Sequence, residues 1–332
     1  MPGVPLVSVV FTSHNHARFV EESLESVLSQ SFRDLEVLAL DDASTDDSLE
    51  RLRRVGDSRV TVFSSEVNRG RHHRNWAICN SRGAFIAFQN SDDLWHPEKL
   101  ARQMEFLDAN PSCGACFTVA EICDDSGSPC PDHPVFGGFF QAAEEPDRFG
   151  WLRRFFLSGN CLAQPSAVVR KDVLGRTGPF DPSLYQLPDL DLWIRAAAVT
   201  DLAVLPAALT RFRVHGDGGN FSTPSPAVQN RHDLEAEEIL KRYAEPPILA
   251  DLPRVFGLPE DEGISAEQRD SRNLARLGFC AASLPGGPHR RAAIHFLREA
   301  LRRGDRTATF SQSERSRIVH HLIHVSSEVA GR

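Results

Sequence analysis

The chain has 332 residues, 41% hydrophobic and 25% charged, an ordinary globular composition with room for one α/β domain and an appendage. A formal net charge of −8 and a pI near 5.9 exclude a general nucleic-acid binder, which needs a basic field. No run reaches the roughly 18 to 20 apolar residues of a membrane span. The N-terminus lacks a basic segment followed by an apolar one, so a cytoplasmic protein is expected.

In chain order, "LVSVVFTSHN" is a β-branched run ending in polar residues, the pattern of a strand buried on both faces. "ARFVEESLESVLSQ" places Phe19, Val20, Leu24, Val27 and Leu28 near a 3.6-residue period and predicts an amphipathic helix. "LEVLALDDAS" is a second strand, ending in Asp41-Asp42. "STDDSLERLRRVG" is a helix with Ser44 or Thr45 as its N-cap. "VTVFSS" is a strand, "RHHRNWAICNS" a helix and "GAFIAFQ" a strand. "HPEKLARQMEFLDAN" starts a helix with Pro97 in its first turn.

Four strand–helix alternations with short connections predict a Rossmann-like, mostly parallel sheet flanked by helices. Right-handed crossovers then bring the strand ends to one edge, where such sheets bind ligands. Thr12 to Asn15, Asp41-Asp42 and Asn90 to Asp93 therefore converge. Acids at the mouths of core strands point to a hard divalent cation, Mg²⁺ or Mn²⁺, shared with phosphate oxygens. Neither a Gly-x-x-x-x-Gly-Lys-Ser/Thr loop nor a Gly-x-Gly-x-x-Gly turn is present, which disfavours a P-loop ATPase and a dinucleotide dehydrogenase.

Beyond residue 110 the pattern changes. "CGACFTVAEICDDSGSPC" predicts two strand pieces around a "DDSG" turn, and residues 131 to 150 a loop. "WLRRFFLSG" and "LDLWIRAAAV" are predicted helices and "LAVLPAALTRFRVH" a strand. After "GDGGNFSTPSP" the chain reads as helical, giving a boundary near 222 to 227 and domains of 1–225 and 226–332. Cys113, Cys116, Cys123 and Cys130 invite a zinc reading. The first two, three apart on a strand, face opposite sides, so ordinary core cysteines are expected.

"VSVVFTSHNHARFVEESLESVLSQSFRDLEVLALDDASTDDS" resembles the opening of the family 2 glycosyltransferases of GT-A fold. "NRGRHHRNWAI", "FQNSDDLWHPEKL", "GPFDPSLYQLPDLDLWIRAA" and "FRVH" resemble later segments of that family in the same order, over residues 5 to 222. The resemblance implies a GT-A domain with a helical C-terminal extension. It also implies transfer of sugar from a nucleotide-sugar, a UDP-sugar foremost, to an acceptor hydroxyl with inversion. Glycan or lipid-linked acceptors and polysaccharide, glycolipid or other glycoconjugate synthesis are the implied context.

Carried over residue by residue, Asp92, Asp93 and His215 are the implied metal site and Asp189 the catalytic base. Thr12, Asn15, Asp41, Asp42, Asn68, Gly70, Arg74, Asn90, Ser91 and Asp92 are the implied nucleotide-sugar contacts. Two positions depart from the family: Asn90 where an Asp is commoner, and Pro188 where a Glu is. Asp191 is expected to cap its helix, and Asp46 and Asp47 to flank theirs. Trp95 and Trp193 are expected in the core.

Two other functions fit parts of the pattern. A nucleotidylyltransferase of the same fold would carry a Gly-rich basic loop after the first strand, which "FTSHNHARF" lacks. A non-catalytic nucleotide-sugar or partner-binding module would explain Asn90 and Pro188. The basic residues Arg290, Arg291, Arg298, Arg302, Arg303, Arg315 and Arg317 allow peripheral contact with an anionic membrane.

Overall fold

The structure is a computed structural model describing residues 4–134, 136, 140 and 146–330. Nine of the twenty residues expected as a loop at 131 to 150, namely 135, 137–139 and 141–145, lie outside the described residues, and the last three belong to a helix. The strands are β1 (Val7–Ser13), β2 (Leu35–Asp42), β3 (Val60–Ser65), β4 (Phe85–Asn90), β5 (Leu94–Trp95), β6 (Cys113–Cys123), β7 (Val168–Arg170) and β8 (Asp201–Arg213). The helices are α1 (Val20–Leu28), α2 (Ser48–Arg54), α3 (Arg71–Asn80), α4 (Lys99–Ala109), α5 (Arg148–Ser158), α6 (Lys171–Thr177) and α7 (Pro188–Ala197). They continue as α8 (Pro226–Leu240), α9 (Pro246–Ala250), α10 (Leu252–Phe256), α11 (Ala266–Ser283), α12 (Gly287–Thr307) and α13 (Gln312–Ala330).

The chain divides into two compact units. The first holds Met1–Arg148, Asn160–Ser183 and Val199–Thr223; the second holds Phe149–Gly159, Leu184–Ala198 and Pro224–Arg332. The second unit thus takes in two segments that the sequence reading assigned to the catalytic domain.

The first unit is built on a mixed eight-stranded sheet in the order β3-β2-β1-β4-β7-β6-β8-β5. β3, β2, β1 and β4 run parallel, β7 is antiparallel to β4 and β6, and β8 is parallel to β6 and antiparallel to β5. The central strands are continuous apolar runs because both faces are covered: Val7, Val9, Val10 and Phe11 are all fully buried. Helix α1 buries the stripe Val20, Leu24, Val27 and Leu28, the face its period predicts, in the cluster that also takes Val37, Ala39, Leu100 and Leu107. Truncating a residue such as Leu24 to Ala in this cluster costs about 2–5 kcal/mol.

Two local expectations are corrected. The segment after "DDSG" is not a second strand but a single bridge from Cys123 to Pro129. Asp124 folds the turn on itself, its Oδ1 accepting from Ser126 N, Ser126 Oγ and Ser128 N. Neither Ser44 nor Thr45 caps α2. The helix starts later, and Asp46 Oδ1 accepts from the N–H and hydroxyl of Ser48. Trp95 and Trp193 are buried, as expected.

The second unit is helical apart from its connections. α11 packs on α12, and α12 also meets α8 and α13. Leu274, Leu277, Phe296 and Leu297 fill the layer between the long helices. A capping box of Ser265 and Gln268 starts α11. Tyr243 is buried and donates its hydroxyl to the carbonyl of Leu152. Five arginines of the basic faces are already paired: Arg290 with Glu328, Arg291 with Glu237, Arg302 and Arg303 with Glu299, and Arg315 with Asp305. Among the described residues no helix is long and apolar enough to cross a membrane.

Candidate active site

The parallel pairing of β1 with β2 and β4 aligns their carboxyl ends. Ser13 lies beside Asp41, and Thr12 beside Asn90. The first unit therefore gathers the strand-end residues at one edge, as the alternation predicts. Beyond that edge, His16, Asp92 and His215 bring one ligand atom each within 4.8 Å of one another. His215 Nε2 is 3.1 Å from Asp92 Oδ2, and His16 Nδ1 is 3.8 Å from Asp92 Oδ1.

The neighbours of this cluster hold it in shape. His215 Nδ1 contacts Asp125 Oδ1 at 2.9 Å, and His16 Nδ1 contacts Ser91 Oγ at 2.8 Å. Hydrogen bonding to Asp92, working against partial burial, and then to Asp125 lifts the His215 pKa to about 9. Burial pushes Asp92 up, but His215 and His16 outweigh it and hold the carboxyl below its ordinary range. Burial keeps His16 below the usual histidine range, with Asp92 opposing. Two imidazoles and one carboxylate make a donor set that fits a divalent cation of borderline softness.

Arg213, fully buried, ties the surroundings together. Its guanidinium donates to the carbonyls of Asp92 (2.7 Å) and Asp125 (2.7 Å) and to Glu22 Oε2 (2.8 Å), and lies over the Phe19 ring.

Asp93 is outside the histidine cluster. Its Oδ1 accepts from the backbone N–H of Arg213 and its Oδ2 from Asn90 Nδ2, both at 2.9 Å. Burial, and next the charge of Asp92, push its carboxyl well above the usual range. Its place is therefore that of a buried clamp between β4 and β8, not of a metal ligand beside Asp92. This also accounts for the amide at Asn90: an acid there would set two carboxylates face to face, whereas Asn90 supplies the donor. Asn90 Oδ1 is 3.4 Å from Thr12 Oγ1, so the amide serves the frame of the site and not an open contact.

The two acids ending β2 also differ. Asp42 accepts from the N–H groups of Arg69 (2.7 Å) and Gly70 (2.6 Å). Burial raises its carboxyl, but the nearby His73 imidazole, 3.6 Å away, and the bonds from those two N–H groups prevail and lower it. Asp42 thus anchors the loop after β3, where Gly70 takes a φ of +49°; Asn68 is exposed. Asp41 is 1% exposed. Its Oδ2 accepts from Ser44 N, while its Oδ1 has no hydrogen-bond partner among the described residues.

Asn15, at a φ of +54°, bridges to the next loop: its Oδ1 accepts from Thr45 N and its N–H donates to Ser44 Oγ. Arg74 reaches Thr12 Oγ1 at 3.3 Å and Gln164 Oε1 at 3.1 Å.

Asp189 belongs to the second unit. Pro188 is the first residue of α7 and Asp189 stands half-buried in its first turn, with Oδ1 accepting from Leu190 N. Asp191 does not cap the helix, whose N-cap is Leu187. It is fully buried and ion-paired with Arg195 at 2.7 Å and Arg242 at 2.9 Å.

Sequence reasoning passed over His16, Arg213 and Asp125. The only signal for His16 was its place three residues past the first strand, in "TSHNH". Among the described residues no cysteine joins a metal-binding cluster.

The family model described as glycosyl transferase family 2 matches residues 8–174. An uncharacterized glycosyltransferase of Methanocaldococcus jannaschii is 27% identical over 199 residues, which cover 58% of this chain and 65% of that relative's length. Among solved structures, Staphylococcus aureus TarS 1–349 in complex with UDP shares the fold at a TM-score of 0.57 and 19% identity, covering 98% of this chain and 92% of that one. The mannosyltransferase PcManGT of Pyrobaculum calidifontis, in complex with GDP-Man and Mn²⁺, does so at a TM-score of 0.53 and 18% identity, covering 99% and 88%. The mixed sheet flanked by helices, with a helical C-terminal region, is thus the GT-A fold. With half of its residues matched by the family model, and its strand-end motifs in the family's order, the chain belongs to glycosyl transferase family 2.

Proposed function

We propose that the protein transfers a glycosyl group from a nucleoside-diphosphate sugar to an acceptor hydroxyl, with inversion at the anomeric carbon. The observation that carries this reading is the His16–Asp92–His215 cluster at the carboxyl edge of the parallel strands, in the same unit as the partnerless oxygen of buried Asp41. TarS with UDP and PcManGT with GDP-Man and Mn²⁺ support a nucleotide-sugar donor and a divalent ion. A UDP-sugar is the first donor to test.

Asp92, His215 and His16 would hold the cation. The two imidazoles favour Mn²⁺ over Mg²⁺, which prefers an all-oxygen shell. The bound ion would offset the negative charge that builds on the leaving diphosphate. Asp41 Oδ1 is suited to accept an N–H or O–H of the nucleoside. Thr12, Ser91 and Arg74 line the same edge, with Arg74 as the phosphate-facing donor. Asp42, Asn15, Asn68, Gly70 and Asn90 build the loops around it, and Asp93 fixes the turn carrying Asp92. Asp189 is the base, accepting the acceptor's proton as the new C–O bond forms.

A glycan or lipid-linked acceptor and a cytoplasmic location follow from the family resemblance. Membrane contact has weaker support, since five of the seven arginines on the basic faces are paired within the second unit.

The test is a panel of UDP-, GDP-, dTDP- and CMP-sugars with and without Mn²⁺. Thermal stabilisation by one donor that requires Mn²⁺, together with release of its nucleoside diphosphate, is expected. Binding without any turnover, even slow hydrolysis, would leave a non-catalytic binding module instead.

A further inference from the structure

We infer that Glu235, on helix α8 of the C-terminal region, is a positioning residue for the reaction: it holds the backbone leading into Asp189. This rests on the reading of Asp189 as the base. One Glu235 carboxylate accepts from three successive backbone N–H groups: Tyr185 at 2.7 Å to Oε1, and Gln186 at 2.7 Å and Leu187 at 2.8 Å to Oε2. Three N–H groups in a row form a cradle for an anion, and here the anion is a side chain from 48 to 50 residues further along the chain.

The place of this carboxylate matters because α7 has no cap of its own. Its N-cap is Leu187, which offers no side-chain oxygen, and its first residue is Pro188, which has no N–H. Glu235 supplies the negative charge that a helix N-terminus favours. Its last contact, with the N–H of Leu187, lies two residues before Asp189. A second tie acts further along the helix: Arg242, just beyond α8, bonds the fully buried Asp191 at 2.9 Å. The C-terminal helices share one compact unit with α7. They fix the start of the helix that carries the base, and a displacement of that base by about 1 Å can cost a hundredfold in rate.

The experiment compares Glu235→Ala, Glu235→Gln and Asp189→Asn in the full chain, with Mn²⁺ and whichever nucleotide-sugar of the panel is cleaved fastest. Three quantities are read: hydrogen exchange at amides 185–187, donor Kd, and kcat for nucleoside diphosphate release. Glu235→Ala should speed exchange at those amides and lower kcat by roughly ten- to a hundredfold, with donor Kd within about twofold. Glu235→Gln keeps one accepting oxygen and should fall between. It also carries the same readouts should the alanine variant not fold. A wild-type kcat in both Glu235 variants, with Asp189→Asn slowed, would overturn the positioning role and leave the base in place. Equal losses in donor affinity and kcat would overturn it as a general loosening of the fold. A wild-type kcat in Asp189→Asn would remove the base, and this inference with it.

Discussion

The Asn90–Asp93 turn and the first turn of α7 differ in sequence, NSDD against PDLD, yet both set two acids in different surroundings. Each carries two acids within three positions. At the first, Asp92 meets two histidines while Asp93 is closed off by Asn90 and the Arg213 backbone. At the second, Asp189 stays half-buried while Asp191 is sealed between Arg195 and Arg242. In both places one acid is closed off in the frame of the turn, and the proposed function gives the chemistry to its neighbour. The means differ. Asp93 is held by one amide and one peptide N–H and has its pKa pushed up, whereas Asp191 faces two guanidinium groups. On that proposal each acid pair divides into one scaffold residue and one working residue, and the surrounding donors, not the sequence, separate them.

The sharpest way to break this comparison is to exchange roles at the first turn. Asp92→Ala should abolish the Mn²⁺ dependence of donor binding, measured by calorimetry, and cost at least about 4 kcal/mol, a thousandfold, in kcat/KM. Asp93→Asn should keep Mn²⁺ binding. It would instead set two amide donors against each other at Asn90 and lower stability by about 1–3 kcal/mol in urea unfolding. Loss of Mn²⁺ binding in Asp93→Asn with wild-type stability would return Asp93 to the metal shell.

At the second turn, Asp189→Asn should lower kcat by ~10²–10⁴ while donor Kd is nearly unchanged. Asp191→Ala takes the fully buried carboxylate away from Arg242 and Arg195, and removing one partner of a buried ionic group costs about 3–5 kcal/mol. A wild-type urea midpoint in Asp191→Ala would show that the sealed acid is not a scaffold residue.

The elements were legible where local pattern decides them. β1, β2 and β4 read as strands because a sheet covered on both faces needs unbroken apolar runs, and α1 because Val20, Leu24 and Val27 share one face. The edge of the site was legible because acids such as Asp41 and Asp92 are out of place at the end of such runs. The role of each acid was not. Asp93 is decided by Arg213, 120 residues away, and Asp191 by Arg242, 51 residues away. No window of sequence holds those pairs. His16 went unnoticed because one histidine in a polar loop has no periodicity to mark it, and Glu235 because it reads as one more acid on an exposed helix.

A pH-dependent effect is expected from a buried charge that lacks any such partner. Lys99 is fully buried at the start of α4, its Nζ 3.9 Å from the centre of the Trp95 ring and without a hydrogen-bond partner among the described residues. Burial lowers its pKa from 10.5 to about 7. That drop corresponds to roughly 5 kcal/mol against the charged form, at about 1.4 kcal/mol per unit. Between pH 7 and 10.5 the folded chain has released this proton and the unfolded chain has not, so this residue makes stability rise with pH across that window. Below pH 7 the full penalty stands. Lys99→Met, close in volume and uncharged, should therefore gain up to about 5 kcal/mol over the wild type at pH 6. The gain should shrink steadily above pH 7 and be gone by about pH 10.5, as followed by urea unfolding at stepped pH. A gain that does not change with pH would mean that Lys99 keeps its proton in the fold, held by a partner as Asp191 is.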